Sequence, residues 1–372
     1  MSVKCQVIME ALDKLAPRSL AEEWDNVGLL IGSPAQDVNK ILVTLDVTAA
    51  VVDQAIACGA DMIVSHHPLV FKPLRNVRTD LPQGNVIAKI LRQGIAVFAA
   101  HTNLDSAKNG VNDVLAKTLG LTDVQLLTVD TTEELFKLVV FVPTTHAQVV
   151  QDALHRAGAG HIGQYSHCLF MTEGTGTFLP LEGAQPFIGQ QGKMEYVQEI
   201  RMETIVPSKL RRRVINALLK AHPYEEVAYD LYLLANQGAQ YGLGRIGNLA
   251  ETTNLSDLAA MVKKQLKTDF VKVAGFGQQK ISTVAVCGGS GAGLLHKAAF
   301  AGADVLITGD VKYHEAQDAA AAGIALIDAG HFATEQPIVS ALSEYLSDCS
   351  AAAKWSVEIE SSKNDKDIFQ VF

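Results

Sequence analysis

The chain has 372 residues, more than one ordinary hydrophobic core holds, so two or three domains are expected. With 48% hydrophobic and 19% charged residues it is globular, neither disordered nor fibrous, and it suits parallel strands buried beneath helices. A net charge of −9 disfavours non-specific binding to a nucleic-acid backbone, and no apolar run is long enough to span a bilayer, so neither nucleic acid nor a membrane is an expected partner. The first segment, MSVKCQVIMEALDKLAP, reads as an amphipathic helix and lacks the apolar core and cleavage site of a signal peptide. Cys5, Cys58, Cys168, Cys287 and Cys349 form no CxxC pair and are odd in number, the pattern of free thiols, which places the protein in the cytoplasm. A strand in ILVTLD (41–46) is followed by the helical pattern TAAVVDQAIACGAD, a buried strand in GADMIVSHH (59–67) and another in GIAVFAAH (94–101), which leads into HTNLD.

Composition then changes. Residues near 133–235 read as strand (LFKLVVFVP), helix (HAQVVQDALHRAG), glycine-punctuated strands, strand (MEYVQEIRMETIVP), helix (SKLRRRVINALLKAH) and strand (EVAYDLYLL). That is the ferredoxin-like order βαββαβ, so an inserted α+β domain is expected over 131–236, between core segments 1–130 and 237–372. Its linkers are placed near 125–134 and 234–250, the second rich in glycine. Arg211, Arg212 and Arg213 read as a solvated helix face, and His146, His155, His161, His167 and His222, which show no metal spacing, as structural or surface groups. Beyond the insert come STVAVCGG (282–289), the helical GLLHKAAFAGAD, GADVLITGD (302–310) and GIALIDAGH (323–331).

The late segments echo the early ones: GADMIVSHH matches GADVLITGD, and GIAVFAAH matches GIALIDAGH. Strand, helix, strand, helix, strand gives a parallel sheet with right-handed crossovers. The fold class is therefore α/β, two related halves with an inserted ferredoxin-like domain. Ligands of such sheets bind beyond the carboxyl ends of the strands, where His66, His67, His101, Asp105, Asp310, His314, His331 and Glu335 all fall. Adjacent His66 and His67 at a strand end can each serve a different ion, and His331 and Glu335, four apart, share a side if a helix starts near Phe332. Asp105, in a loop after a strand, can bridge two ions with its two oxygens. His66, His67, Asp105, His331 and Glu335 are too many ligands for one structural zinc and natural for two divalent ions with open positions, zinc foremost and iron or manganese as alternatives. His101 and His314 are the candidate catalytic groups, as acid/base or ligand-orienting residues. Asp46 lines the cleft or caps its strand; Asp310 either belongs to the cleft or N-caps a helix; GGSGAG (288–293) is a tight strand–helix turn or a phosphate cradle, with the turn expected.

The motifs SHHPLVF, AHTNLDSAKNGVND, GDVKYHEAQDA and GHFATEQP, with WDNVGLLIG (24–32), resemble the GTP cyclohydrolase I type 2 homologues, also called Nif-three-like dinuclear metal-centre proteins. The likeness covers roughly 1–125 and 240–372, and the middle segment looks like the PII- and CutA-related insert of longer bacterial members. The resemblance implies two metal ions on His66, His67, Asp105, His331 and Glu335, with His101 and His314 beside them, and a ring-shaped homohexamer around an internal cavity. It also implies a metal-dependent hydrolase that opens or cleaves a nucleotide such as GTP, or a phosphoester, through metal-bound hydroxide. The alternative is a non-enzymatic metal-binding or regulatory assembly whose insert senses a small-molecule ligand.

Overall fold

The computed structural model describes residues 2–370, which divide into two compact units, 2–130 with 241–370 and 131–240. The first unit begins with α1 (Cys5–Leu15), β1 (Gly28–Ile31), β2 (Lys40–Thr44), α2 (Ala49–Cys58), β3 (Met62–Ser65), α3 (Pro82–Gln93) and β4 (Ala96–Ala99). Two short helices, α4 (Thr102–Ser106) and α5 (Val111–Thr118), lead to β5 (Thr122–Leu126).

The second unit runs β6 (Leu135–Pro143), α6 (Ala147–Ala157), β7 (Leu169–Phe178), β8 (Glu195–Pro207), α7 (Arg211–Ala221) and β9 (Tyr229–Leu233). Its four strands pair antiparallel in the order β7-β8-β6-β9, so the βαββαβ order closes into a ferredoxin-like sheet. Leu138, Val140, Val142, Met202 and Val206 pack on Val150 and Leu154 of α6 and Val214 and Leu218 of α7. That leaves the alternate residues of each strand on the opposite face.

The chain then completes the first unit with β10 (Arg245–Asn254), α8 (Leu255–Leu266), β11 (Lys272–Ala274), β12 (Lys280–Val286), α9 (Leu295–Phe300), β13 (Val305–Thr308), α10 (Tyr313–Ala322), β14 (Ala325–Asp328), α11 (His331–Glu335), α12 (Pro337–Ala353) and β15 (Glu358–Ser361). Residues 245–250, expected in a linker, instead begin a strand that pairs with β12 and β5: Gly247 lies within it, and buried Arg245 anchors it through an ion pair with Asp113.

The first unit holds two main sheets. One has the order β15-β2-β3-β4-β1, with β15, β2, β3 and β4 parallel and β1 antiparallel at the edge. The other has the order β11-β14-β13-β12-β10-β5, with β12, β13 and β14 parallel. The inner strands β3, β4, β13 and β14 are buried along their whole length because both faces are covered. Ile41, Val43, Met62, Val64, Ala96 and Phe98 pack toward α1 and α12, whereas Leu42, Ile63 and Val97 pack toward α2 and α3. In the second sheet Val284, Val286, Val305, Ile307 and Ile327 meet α5 and α8, and Ala285, Leu306 and Leu326 meet α9 and α10.

The Gly-Ala-Asp echo has a structural reason. Asp61 Oδ2 accepts from the backbone N–H groups of Asn39 (2.7 Å) and Lys40 (3.2 Å), and Asp304 Oδ2 accepts from those of Ser282 (2.8 Å) and Thr283 (2.9 Å). Each aspartate ties the start of one strand to the strand before it. The glycine two residues earlier sits at positive φ where the preceding helix ends, +71° at Gly59 and +84° at Gly302, a conformation only glycine adopts freely. No helix of the described residues is long and apolar enough to cross a membrane.

Candidate metal centre

The site lies at the carboxyl ends of β3, β4, β13 and β14. The chain leaves β3 still held by backbone bonds, His66 N–H to Thr44 O (3.2 Å) and His67 N–H to Leu45 O (2.9 Å). The alternation of a strand has relaxed there, so both rings turn to the same side, their centroids 4.9 Å apart. After β4, Leu104 and Asp105 both donate N–H to His101 O, which folds the segment into α4 and puts Asp105 in a short helix instead of the expected loop. After β14, α11 begins at His331 itself, and its pitch brings His331 Nε2 to 3.1 Å from Glu335 Oε2.

Every imidazole here is fixed through Nδ1. His66 Nδ1 meets Ala100 O at 2.8 Å, His67 Nδ1 meets Asp46 Oδ1 at 2.9 Å, His101 Nδ1 meets Asp25 Oδ1 at 2.9 Å, and His331 Nδ1 meets Asp310 Oδ2 at 2.7 Å. Carbonyls and carboxylates only accept, so each Nδ1 carries a hydrogen and each Nε2 points inward, able to offer a lone pair once it has no proton of its own. The inward atoms crowd together. His67 Nε2 and His331 Nε2 are 3.3 Å apart, and Glu335 Oε2 lies 2.9 Å from the first. His66 Nε2 lies 3.6 Å from Asp105 Oδ1 and 3.7 Å from Glu335 Oε1. The ligand atoms therefore gather in two sets, His66–Asp105–Glu335 and His67–His331–Glu335, with His101 completing a further set with His66 and His67.

Acceptors crowded together and withdrawn from water require positive charge among them. His66 is 0% and Glu335 4% exposed, and His66 Nε2 and Asp105 Oδ1 are buried without a hydrogen-bond partner. Their protonation follows the same demand. Burial disfavours charge on His67, but its bonds to Asp46 and Glu335 prevail and raise its pKa to about 10. The bond to Glu335 leads in lifting His331 to about 9, and burial opposes it. Burial lifts Asp105 to about 6, while Glu335, though burial opposes it, is held low by His66, His331 and His67. Neutral imidazole with carboxylate is a donor set for zinc, iron or manganese, and these groups could hold metal of that kind.

The family model for Duf34/NIF3 (NGG1p interacting factor 3) matches residues 3–368. The chain belongs to the DUF34/NIF3 family. Within it, the chain is 48% identical over 326 residues to a protein of Halalkalibacterium halodurans and 43% identical over 368 residues to one of Bacillus subtilis, both called "GTP cyclohydrolase 1 type 2 homolog"; the first match covers 88% of each chain, the second 99% of this one and 98% of the other. The crystal structure of a Bacillus cereus protein related to NIF3 superposes with a TM-score of 0.93 at 45% identity, covering 100% of both chains. A Staphylococcus aureus structure superposes at 0.79 with 32% identity, covering 100% of this chain and 99% of the other.

This DUF34/NIF3 chain brings His66, His67, Asp105, His331 and Glu335 together, with His101 against them at ring-centroid distances of 5.2 and 5.5 Å from His66 and His67. His314 behaves differently. Its Nδ1 is 3.0 Å from Gln317 Oε1 and its ring rests on Tyr313, and among the described residues it makes no hydrogen bond or ring contact with the cluster. Asp310 is not an N-cap, because α10 starts after Lys312; at φ +57° its carboxylate instead orients His331. Asp46 lies in the cleft and orients His67. GGSGAG makes the tight turn from β12 toward α9, and it also backs the cluster: a Cβ on Gly289, at φ +61°, would stand 2.3 Å from Glu335 Oε1. The residue that sequence reasoning missed is Asp25, which holds His101 and also accepts from Thr102 N–H and the Thr102 hydroxyl. Its only signal was its place in WDNVG, far along the chain from its partner.

Proposed function

We propose that this chain is a dinuclear divalent-metal protein that hydrolyses a nucleotide or another phosphoester. The observation that carries the reading is Glu335, which turns Oε1 toward the His66–Asp105 set and Oε2 toward the His67–His331 set, the posture of a carboxylate shared by two ions. The sequence had suggested Asp105 for that bridge, but Asp105 enters only one set. Ions held there would supply Lewis acidity and lower the pKa of water. The remaining work falls to the chain. Asp46 and Asp310 keep the Nε2 lone pairs of His67 and His331 aimed at the centre. His101, fixed by Asp25, presents Nε2 at the edge of the cluster, where it can pass a proton to or from a substrate oxygen. A cavity of about 650 Å³ reaches His67 and His331, with Lys366 on its wall to meet a phosphate and Phe270 and Phe332 to meet a flat apolar body; Lys272 is held by Asp328 at 2.6 Å, and Asp46, Asp310, Asp365 and Asp367 make the rest of the wall acidic, so the phosphate would enter by way of the ions.

The test is metal content per chain by elemental analysis, followed by turnover of GTP and a generic phosphoester by the loaded protein. Two ions and metal-dependent turnover are expected. Glu335→Gln should lose both ions, and Asp105→Asn should keep one; two ions retained in Glu335→Gln would remove the bridge. Fewer than one ion in the wild type would overturn the metal centre. Two ions without turnover would favour the second reading, a metal-binding regulator, which a separate cavity in the insert supports.

A further inference from the structure

The insert carries a cavity of about 720 Å³ on the face of its sheet turned away from α6 and α7. The sequence hollows it out. In TEGTGTF of β7, Gly174 and Gly176 occupy alternate positions and so share one face. Gly174 pairs directly with Glu199 of β8, and a Cβ on Gly174 would meet nothing within 4 Å, whereas one on Gly176 would stand 2.1 Å from Glu199 Oε2. Two missing side chains thus leave space above the sheet and bring a carboxylate to its floor.

That carboxylate is unusual for its place. Glu199 is 7% exposed, in a wall that is otherwise largely apolar and aromatic. Its Oε1 accepts from the Tyr224 hydroxyl at 2.9 Å. Phe178 and Phe187 stand around Tyr224 with ring centroids 5.9 and 6.4 Å away. The other charged lining groups are Glu173, Glu225, Glu226 and Arg201. Arg201 is turned to its own partners, Glu203 at 2.7 Å and the Phe141 ring at 5.5 Å, so negative charge prevails. A desolvated carboxylate beside aromatic faces favours a cation, through charge at one end and ring quadrupoles along the body. The volume is that of a small-molecule site.

We propose that the insert binds a small organic cation, an ammonium or amidinium group on an apolar or aromatic body, with the charged group on Glu199 and the body against Phe178, Phe187 and Tyr224. This site is separate from the metal centre and stands whether or not the hydrolase reading does.

The probe is 2-phenylethylamine, protonated at neutral pH, with 2-phenylethanol as its neutral match, both titrated against the full chain by saturation-transfer NMR. The amine should bind at least about tenfold more tightly than the alcohol, since one desolvated ion pair is at stake. Glu199→Gln, which keeps the shape and the acceptor for Tyr224, should weaken the amine about tenfold and leave the alcohol unchanged. Gly174→Leu should abolish both, and His331→Ala should change neither. An amine that binds no better than the alcohol, that is undiminished in Glu199→Gln, or that is lost in His331→Ala would overturn the proposal. Should Gly174→Leu fail to fold, Glu199→Gln alone decides.

Discussion

In the first half of the core, Asp61 braces the start of β2 and the strands end in His66, His67 and His101; in the second half, Asp304 braces β12 in the same way and the strands end in Asp310 and His331. The backbone frame is repeated, and the chemistry is divided. Where the first copy places His66 and His67 beyond its central strand, the second places Gly309 and Asp310, and Asp310 serves to hold His331. Gly309 has its own reason: a Cβ there would stand 2.6 Å from His331 N. The frame is thus held by a few backbone-directed carboxylates and helix-ending glycines, which leaves the residues after each strand free to differ.

The halves are also laced together, which no simple duplication requires. β15 comes from the C-terminal segment to pair with β2, and β5 comes from the N-terminal segment to pair with β10. Arg245 is the strongest tie: 2% exposed, it bonds both oxygens of Asp113 (2.7 and 2.9 Å) and the carbonyls of Ala107, Gly242 and Gly244. Arg245→Ala removes five hydrogen bonds at once and leaves Asp113 Oδ1 and Gly242 O without their donor, and should cost about 3–5 kcal/mol in denaturant unfolding, the largest effect foreseen for the frame. A loss under about 1 kcal/mol would mean that the halves hold together without it. A smaller effect compares the carboxylates that orient the histidines. Asp46→Ala and Asp310→Ala should each lower zinc affinity by about 10–100-fold in a chelator competition without unfolding the chain. If only one of them does so, His67 and His331 do not contribute alike to the set they share with Glu335.

The α/β order, the ferredoxin-like insert and the repeat were legible because periodicity and the Gly-Ala-Asp echo are local. The continuous apolar runs of β2 to β4 signalled strands covered on both faces, and the i,i+4 spacing of His331 and Glu335 signalled one helix side. What stayed hidden depends on chain segments far apart. Asp25 reaches His101 across 76 residues, and β15 pairs with a strand more than 300 residues earlier. No spacing rule reports either. The sequence offers Asp105 as a bridge because any carboxylate has two oxygens; that Glu335 is the carboxylate entering two sets of ligand atoms depends on its placement in space. His314 drew attention by following Asp310, but two residues into α10 its side chain turns along the helix to Gln317.

The smallest effect tests the repeat itself. Asp61 Oδ2 accepts from Asn39 N–H, Lys40 N–H and the Asn39 side-chain amide (3.3 Å), and Asp304 Oδ2 accepts from Ser282 N–H, Thr283 N–H and the Ser282 hydroxyl (3.0 Å). Each therefore satisfies two backbone donors at a strand start plus one side chain, and removing either leaves that strand start to water. Because these positions are partly open, water replaces part of what is lost, and Asp61→Ala and Asp304→Ala should each cost about 1–2 kcal/mol. They share no partner, so the double variant should show the sum to within about 0.5 kcal/mol. If Asp304→Ala were silent while Asp61→Ala cost its full amount, the second half would be held by something the first lacks, and the sheet that receives β5 and β10 at one edge is the place to look for it.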